Sequence, residues 1–517
     1  MSSIKPLAYP LVVESSGRWL GNDGDWSSFY VHVGTPPQVF QVLPSLSAQT
    51  LYLPLDKDCG RFNISDCGEL RGVEVWASKL SDGFHPQNST TWHELGVYGI
   101  GVGEVFRLNG NGIFGNDTAG LDTSGVIDPV NLENHPIMAY TTSDMWIGVL
   151  GLSPHTMNIS DTVRPRSFLN QLKEKGHIPS LSFGYQAGAY HRFTHVPGSL
   201  VLGGYDRSRI SGPTLRLSAE SDIIVGLQGI TSTLPNGTTN SLLATGIIAT
   251  IDTAVSELWL PPSVCDAFAL ALGLTYFEAA DRYVLTNAAH SALLAAPPSF
   301  NFTIGVSTSG GDIIIIEIPY AAFDLKAKAY FPLRRAANET QYALGRVFMQ
   351  EIYLSVDSER EEFNISQAVF KSPMPESDLV TILPKIGTSD LKPPHPYTGE
   401  ILPIGAIIGI VVGIVILALF LMSLGWWFWR RRSGAKGLVT SFSPETLDSE
   451  GKKDLELDSE VISEMHAPHG QSEMFLGGIV RQVNTELVEA GGGPLRFELS
   501  SVVEVQHSAG IGPGRMR

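Results

Sequence analysis

Short runs of Val, Ile, Leu and Thr, set off by turn residues, recur through residues 27–370 and predict a β-rich globular part. One frame occurs in it twice. "VLPSLSAQTLYLP" (42–54) reads as a buried strand, a sharp polar turn with no ionisable side chain, and a second strand. "TIDTAVSELWLP" (250–261) repeats that frame with Asp252 in the turn. About a hundred residues after each comes an apolar-apolar-Gly segment, "WIGVLGLSP" (146–154) and "YALGRVFMQEIYLSVD" (342–357), whose Gly151 and Gly345 would let another backbone pass close by. The globular part therefore reads as an internal duplication, with lobes at 27–215 and 216–370 after an N-terminal lead-in of residues 1–26.

Beyond residue 370 the pattern changes. Residues 371–403, "KSPMPESDLVTILPKIGTSDLKPPHPYTGEILP", mix Pro, Ser and charge without a hydrophobic period and read as a stalk. Residues 401–429 carry no charge, and Ile404–Phe428 would span roughly 37 Å as a helix, enough to cross a bilayer with some tilt. A single transmembrane helix is therefore expected at 404–428. Trp426, Trp427 and Trp429 would sit at one interface, and Arg430, Arg431 and Arg432 follow directly, which places the C-terminus in the cytosol by the positive-inside rule. Residues 429–517 have few aromatics, mixed charge and Gly-rich patches, and read as a disordered cytoplasmic tail.

Eight N-x-S/T sequons, at Asn63, Asn88, Asn116, Asn158, Asn236, Asn301, Asn338 and Asn364, all precede the apolar stretch. They agree with a glycosylated N-terminal domain held outside the cytosol, at the plasma membrane or a secretory-pathway membrane. The lead-in "MSSIKPLAYPLVVESSGRW" has no apolar run of the length that a secretory signal needs. This topology thus carries the expectation that the N-terminus is truncated.

At 517 residues the chain exceeds one ordinary core, which suits two lobes plus appendages. A net charge of -17 offers no basic stripe for phosphate neutralisation and argues against nucleic acid as a partner. Cys59 and Cys67 are close enough in sequence to clip a surface loop by a disulfide, which an oxidising compartment permits. Cys265 is left over, either as a buried free thiol or for intermolecular pairing. The thirteen His residues show no paired metal-ligand spacing, so neither a metal nor another cofactor is expected. There is no G-x-S-x-G elbow and no phosphate loop, and Cys265 has no visible partner His.

Several segments, in order, resemble the pepsin-like aspartic peptidases, and together they cover nearly all of 27–370. "FYVHVGTPPQVFQV" (29–42) looks like that family's opening strand and G-T-P-P-Q turn, and "GVLGL" (148–152) like its I-L-G-L segment. "SFLNQLKEKGHIP" (167–179) resembles its helix, "GSLVLGGYDRSRISG" (198–212) its G-G-x-D turn, and "LGRVFMQEIYLSVDSEREEFNISQA" (344–368) its last strands. "SFGYQAGAYHRF", "YFPLRR" and the apolar stretch with its acidic tail look like the membrane-anchored members of filamentous fungi. The resemblance implies an all-β, bilobal fold with a substrate cleft between the lobes.

It also implies a chemistry. Two aspartates, one from each lobe's D-T-G turn, share a proton across a water, so that one deprotonates the water while the other polarises the peptide carbonyl. On the second motif fall Asp252, Thr253 and Ala254, with Ala in place of Gly. Asp252 is then the surviving catalytic position, or an ordinary turn residue if the cleft is non-catalytic. On the first motif fall Ser45, Leu46 and Ser47, and all three differ from D-T-G. Serine stays neutral across accessible pH and cannot replace the missing acid or base. The family's flap carries a tyrosine in a Y-G-x-G hairpin, which "VYGIGVG" (97–103) resembles, with "EVFRLNGNG" as an insertion before "IFGNDTAGL". Tyr98 is the flap residue on that alignment, or else a packed strand aromatic.

The expectation is a membrane-tethered homologue without normal aspartic endopeptidase activity, binding a peptide, protein or cell-wall polymer in its cleft. Two alternatives stand beside it: an active acid endopeptidase of the cell surface or secretory pathway, and a structural or signalling surface glycoprotein.

Overall fold

The computed structural model describes residues 9–385 apart from 63, 125–129, 158, 160–163, 220–221 and 326–329. All of these belong to one unit, Met1–Thr398. The expected membrane helix at 404–428 and the tail at 429–517 lie outside the described residues, and among the described residues no helix is long and apolar enough to cross a membrane.

The architecture is β-rich and bilobal. In the first half, eight strands form one sheet in the order Ser15–Leu20, Trp26–Val33, Gln38–Ser45, Val149–Gly151, Leu51–Pro54, Val130–Thr141, Asn111–Leu121, His93–Gly99. The second half builds its own eight-stranded sheet, containing Ile224–Thr233, Ile247–Ile251, Ala343–Leu344 and Leu258–Leu260. A seven-stranded antiparallel sheet joins the halves, drawing Leu11–Val13, Ser182–Gln186 and Ser199–Leu202 from one and Ile352–Asp357 and Glu362–Ala368 from the other. Residues 215 and 216, where the sequence expects one lobe to give way to the next, fall inside its edge strand Ile210–Ser218. Alternation explains the strands: in Ser299–Gly305 the side chains of Phe300, Phe302 and Ile304 are wholly buried, while Ser299, Asn301 and Thr303 between them are half-buried.

Both halves cross their strand-turn-strand frame in the same way. Val149–Gly151 runs parallel to Gln38–Ser45, with Gly151 opposite Ser45, and antiparallel to Leu51–Pro54. Ala343–Leu344 runs parallel to Ile247–Ile251, with Leu344 opposite Ile251, and antiparallel to Leu258–Leu260. A Cβ on Gly151 would lie under 3.0 Å from Thr50 N and Ala48 O, and one on Gly345 under 3.0 Å from Glu257 O and Val255 O. Only glycine permits this approach. The eight-residue helix Phe168–Lys175 starts at Ser167, whose hydroxyl caps Asn170 N–H, and stops at Gly176 in the left-handed region.

Two segments differ from their expected roles. The lead-in is integrated: Leu11–Val13 pairs with Ser199–Leu202, and Ser15–Leu20 with Trp26–Val33. Within the expected stalk, Leu379–Thr381 pairs antiparallel with Gly204–Asp206. Gly204 makes room for it, since a Cβ there would strike Val380 O. Asp206 then accepts from Ser377 Oγ at 2.8 Å and Asp378 N–H at 2.9 Å.

Candidate functional site

Each turn ends a strand and binds its own backbone. Ser45, 2 % exposed, accepts from Ala48 N–H through Oγ at 3.1 Å. Asp252, 8 % exposed, accepts from Ala254 N–H through Oδ1 at 2.8 Å. Across the lobes, Leu46 N–H donates to Thr253 Oγ1 at 3.1 Å. Leu46 has no hydroxyl to return that bond, so the tie between the turns is one-sided.

Sequence reading set Ser45 against Asp252. The hydroxyl that reaches Asp252 is instead that of Ser47, which donates to Oδ1 at 3.3 Å. Ser45 closes the strand Gln38–Ser45 and turns inward onto Ala48, while the chain two residues on has swung round to face the second lobe. The sequence shows Ser47 as a departure from glycine at the third motif position, but not that its hydroxyl faces Asp252.

Burial pushes the Asp252 carboxyl above the ordinary carboxylate range, and the charge of Asp222 adds to the rise. The hydrogen bonds from Ala254 N–H and Ser47, with the charge of Arg346, pull it part of the way back. Arg346 follows Gly345 directly. Its Nη1 donates to Thr253 O at 2.7 Å, its Nη2 pairs with Asp23 Oδ2 at 2.6 Å, and its guanidinium lies 4.9 Å from the centre of the Trp26 ring. Trp26 Nε1 in turn donates to Asp23 Oδ1 at 2.7 Å. This clamp ties the backbone of the second turn to the first half of the chain, and the sequence offered no spacing rule that would have found it.

Above the turns stands the hairpin made by His93–Gly99 and Asn111–Leu121, with Tyr98 opposite Gly112. Tyr98 packs edge-on against Phe114, ring centres 6.4 Å apart, beside an apolar cluster that includes Ala48, Tyr52, Met138 and Tyr140. The insertion between the two strands forms a short turn at Glu104–Phe106. It reaches across to the second half: Phe106 packs on Trp259, ring centres 5.4 Å apart, in a cluster with Val255 and Ala343. Gln341 Nε2 donates to Val105 O at 2.6 Å.

Residues 29–368 match the family model described as eukaryotic aspartyl protease. The chain belongs to that family. Among its relatives, secreted aspartic protease 6 of Candida albicans is 23 % identical over 365 residues, covering 68 % of this chain and 78 % of that protein. Aspartic proteinase 3 of Saccharomyces cerevisiae is 21 % identical over 316 residues, 56 % of this chain and 53 % of that one. Gastricsin of Cavia porcellus is 23 % identical over 370 residues, 65 % and 82 % respectively.

The cysteines and sequons of this aspartyl protease domain lie outside the two turns. A disulfide joins Cys59 and Cys67, with Cα atoms 5.8 Å apart. Cys265 is a buried thiol, and burial pushes its pKa up to about 12, which keeps it protonated and unreactive. Of the sequons, Asn236 and Asn338 are exposed, Asn88, Asn116, Asn301 and Asn364 are half-buried, and Asn63 and Asn158 lie outside the described residues. Among the described residues, no group of three or more His, Cys, Asp or Glu side chains could hold a metal ion.

Proposed function

We propose that this chain is a membrane-anchored, glycosylated member of the aspartyl protease family that binds a peptide or polymer between its lobes and has lost ordinary two-carboxylate hydrolysis. One observation carries the reading: the group that meets Asp252 from the first turn is a neutral hydroxyl, Ser47 Oγ at 3.3 Å. A lone carboxylate cannot both take a proton from water and give one to the carbonyl in the same step. The sequence of 404–432 supports a helix through the membrane with the C-terminus in the cytosol, and the eight sequons support an outward-facing domain, in the manner of membrane-anchored fungal members.

The test is cleavage of a denatured protein by the full-length protein in detergent, at about pH 3 to 5, where a carboxylate pair sharing a proton would work. No cleavage above background is expected. Cleavage that both a pepstatin-type inhibitor and Asp252→Asn abolish overturns the reading. In the reverse direction, Ser45→Asp should create acid-range cleavage if the cleft is otherwise intact, because losing one member of a cooperating pair costs several orders of magnitude.

A further inference from the structure

Phe106 is only 4 % exposed although it sits at the tip of a hairpin whose neighbours Val105 and Arg107 are exposed. What buries it comes largely from the other lobe. It clusters with Val255, Trp259 and Ala343 of the second half, with Leu108 of its own hairpin and Ala254 at the margin. Ala254 and Val255 directly follow Asp252 and Thr253, and Ala343 lies on the segment that crosses that turn. The pocket that holds Phe106 is therefore built on the same turn that presents Asp252.

A second observation is independent of the first. Trp259 is 2 % exposed, yet among the described residues its indole Nε1 has no hydrogen-bond partner. Its ring is already flanked, by Phe106 and by the Arg334 guanidinium 4.6 Å from its centre. A buried donor without an acceptor is destabilising, so a self-filled pocket of this kind leaves stabilisation unused. A phenyl ring satisfies the apolar walls and leaves the N–H without an acceptor.

We propose that the pocket formed by Val255, Trp259 and Ala343 is a binding site for a large apolar side chain of a peptide, and that Phe106 occupies it from within the chain until a ligand displaces it. A peptide brings both an aromatic or aliphatic side chain for the walls and backbone carbonyls able to accept from Trp259 Nε1. The Gln341 Nε2 bond to Val105 O holds the tip in its self-occupied position. Displacement exchanges one ring for another, and the Gln341 bond for one from Trp259 Nε1. This inference rests on the cleft-binding reading above.

The experiment has two readouts on the full-length protein in detergent, comparing wild type, Phe106→Ala and Gln341→Leu. Hydrogen exchange reports whether amides of residues 100–110 are held; they should be protected in the wild type and exchange faster in both variants, most in Phe106→Ala. A fluorescein-labelled peptide with two adjacent phenylalanines at its centre reports binding; removing the internal competitor should tighten it about tenfold or more, and Gln341→Leu, which also frees Ala337 N–H at the surface, should fall between. Equal, fast exchange of 100–110 in all three proteins overturns the inference, as does wild-type affinity in Phe106→Ala. If the peptide binds neither wild type nor variant although 100–110 is protected and then released, the cleft-binding reading is what fails, and the displacement step falls with it.

Discussion

Ser45 and Asp252 stand at equivalent points of two copies of one frame. Ser45 ends its strand and Asp252 directly follows one, each accepts a hydrogen bond from the backbone of its own turn, and each turn is crossed by a segment whose glycine lies against it. The copies part in what they present to each other. The second offers a carboxylate and the Thr253 hydroxyl, and the first offers a neutral hydroxyl from Ser47 and a bare N–H from Leu46. The two copies share their backbone geometry and differ in side-chain chemistry, because the frame depends on close approach at Gly151 and Gly345 and not on an acid. A polar hydrogen-bond acceptor at the first motif position suffices to close the turn.

The comparison breaks most readily at the glycines. Gly345→Ala and Gly151→Ala force a Cβ against backbone that cannot rotate away, and each should cost about 3 kcal/mol or more in thermal unfolding. If either melts like wild type, the crossing segments do not define the frame. Next comes the tie between the turns. Thr253→Val leaves Leu46 N–H without its acceptor and should cost about 1–3 kcal/mol, whereas Leu46→Thr, which makes the tie reciprocal, should return about 1 kcal/mol.

The acid itself is probed by pH. A carboxyl that holds its proton more tightly when folded contributes stability that is complete below the unfolded carboxylate range and is lost as pH rises through the folded value. Asp252→Asn escapes that loss, so its melting temperature relative to wild type should climb between about pH 3 and about pH 7. Ser45→Ala should show no such trend, and a matching trend there would erase the distinction between the copies. Ser47→Ala should have the smallest effect, about 1 kcal/mol at neutral pH, together with a wild-type pH trend displaced upward, since its hydroxyl favours the ionised carboxyl.

How much of this was legible in the sequence follows from what sets each feature. The two strand-turn-strand frames and the roles of Gly151 and Gly345 could be read because local alternation and the absence of a side chain determine them. The helix after Ser167 was legible for the same reason, with a cap at one end and a glycine at the other. Ser47 was visible as a departure from glycine but not as the partner of Asp252, because which residue of a turn faces the other lobe depends on how the turn rolls. Phe106 lay in what looked like a plain insertion, and only packing across the lobes gives it a place. The strands Leu11–Val13 and Leu379–Thr381 have three residues each, too few to show a period, and their partners are far away in the chain.

The pairing of Leu379–Thr381 with Gly204–Asp206 has a mechanical consequence. Tension delivered through the chain beyond residue 385 would meet the bonds of Lys385 N–H to Glu359 and of Arg360 to Leu383 O before it met this three-residue ladder and its polar contacts with Asp206. A pull from that side is therefore taken first by the turn between Ile352–Asp357 and Glu362–Ala368, two strands of the sheet that joins the halves, and the ladder shares the load behind it.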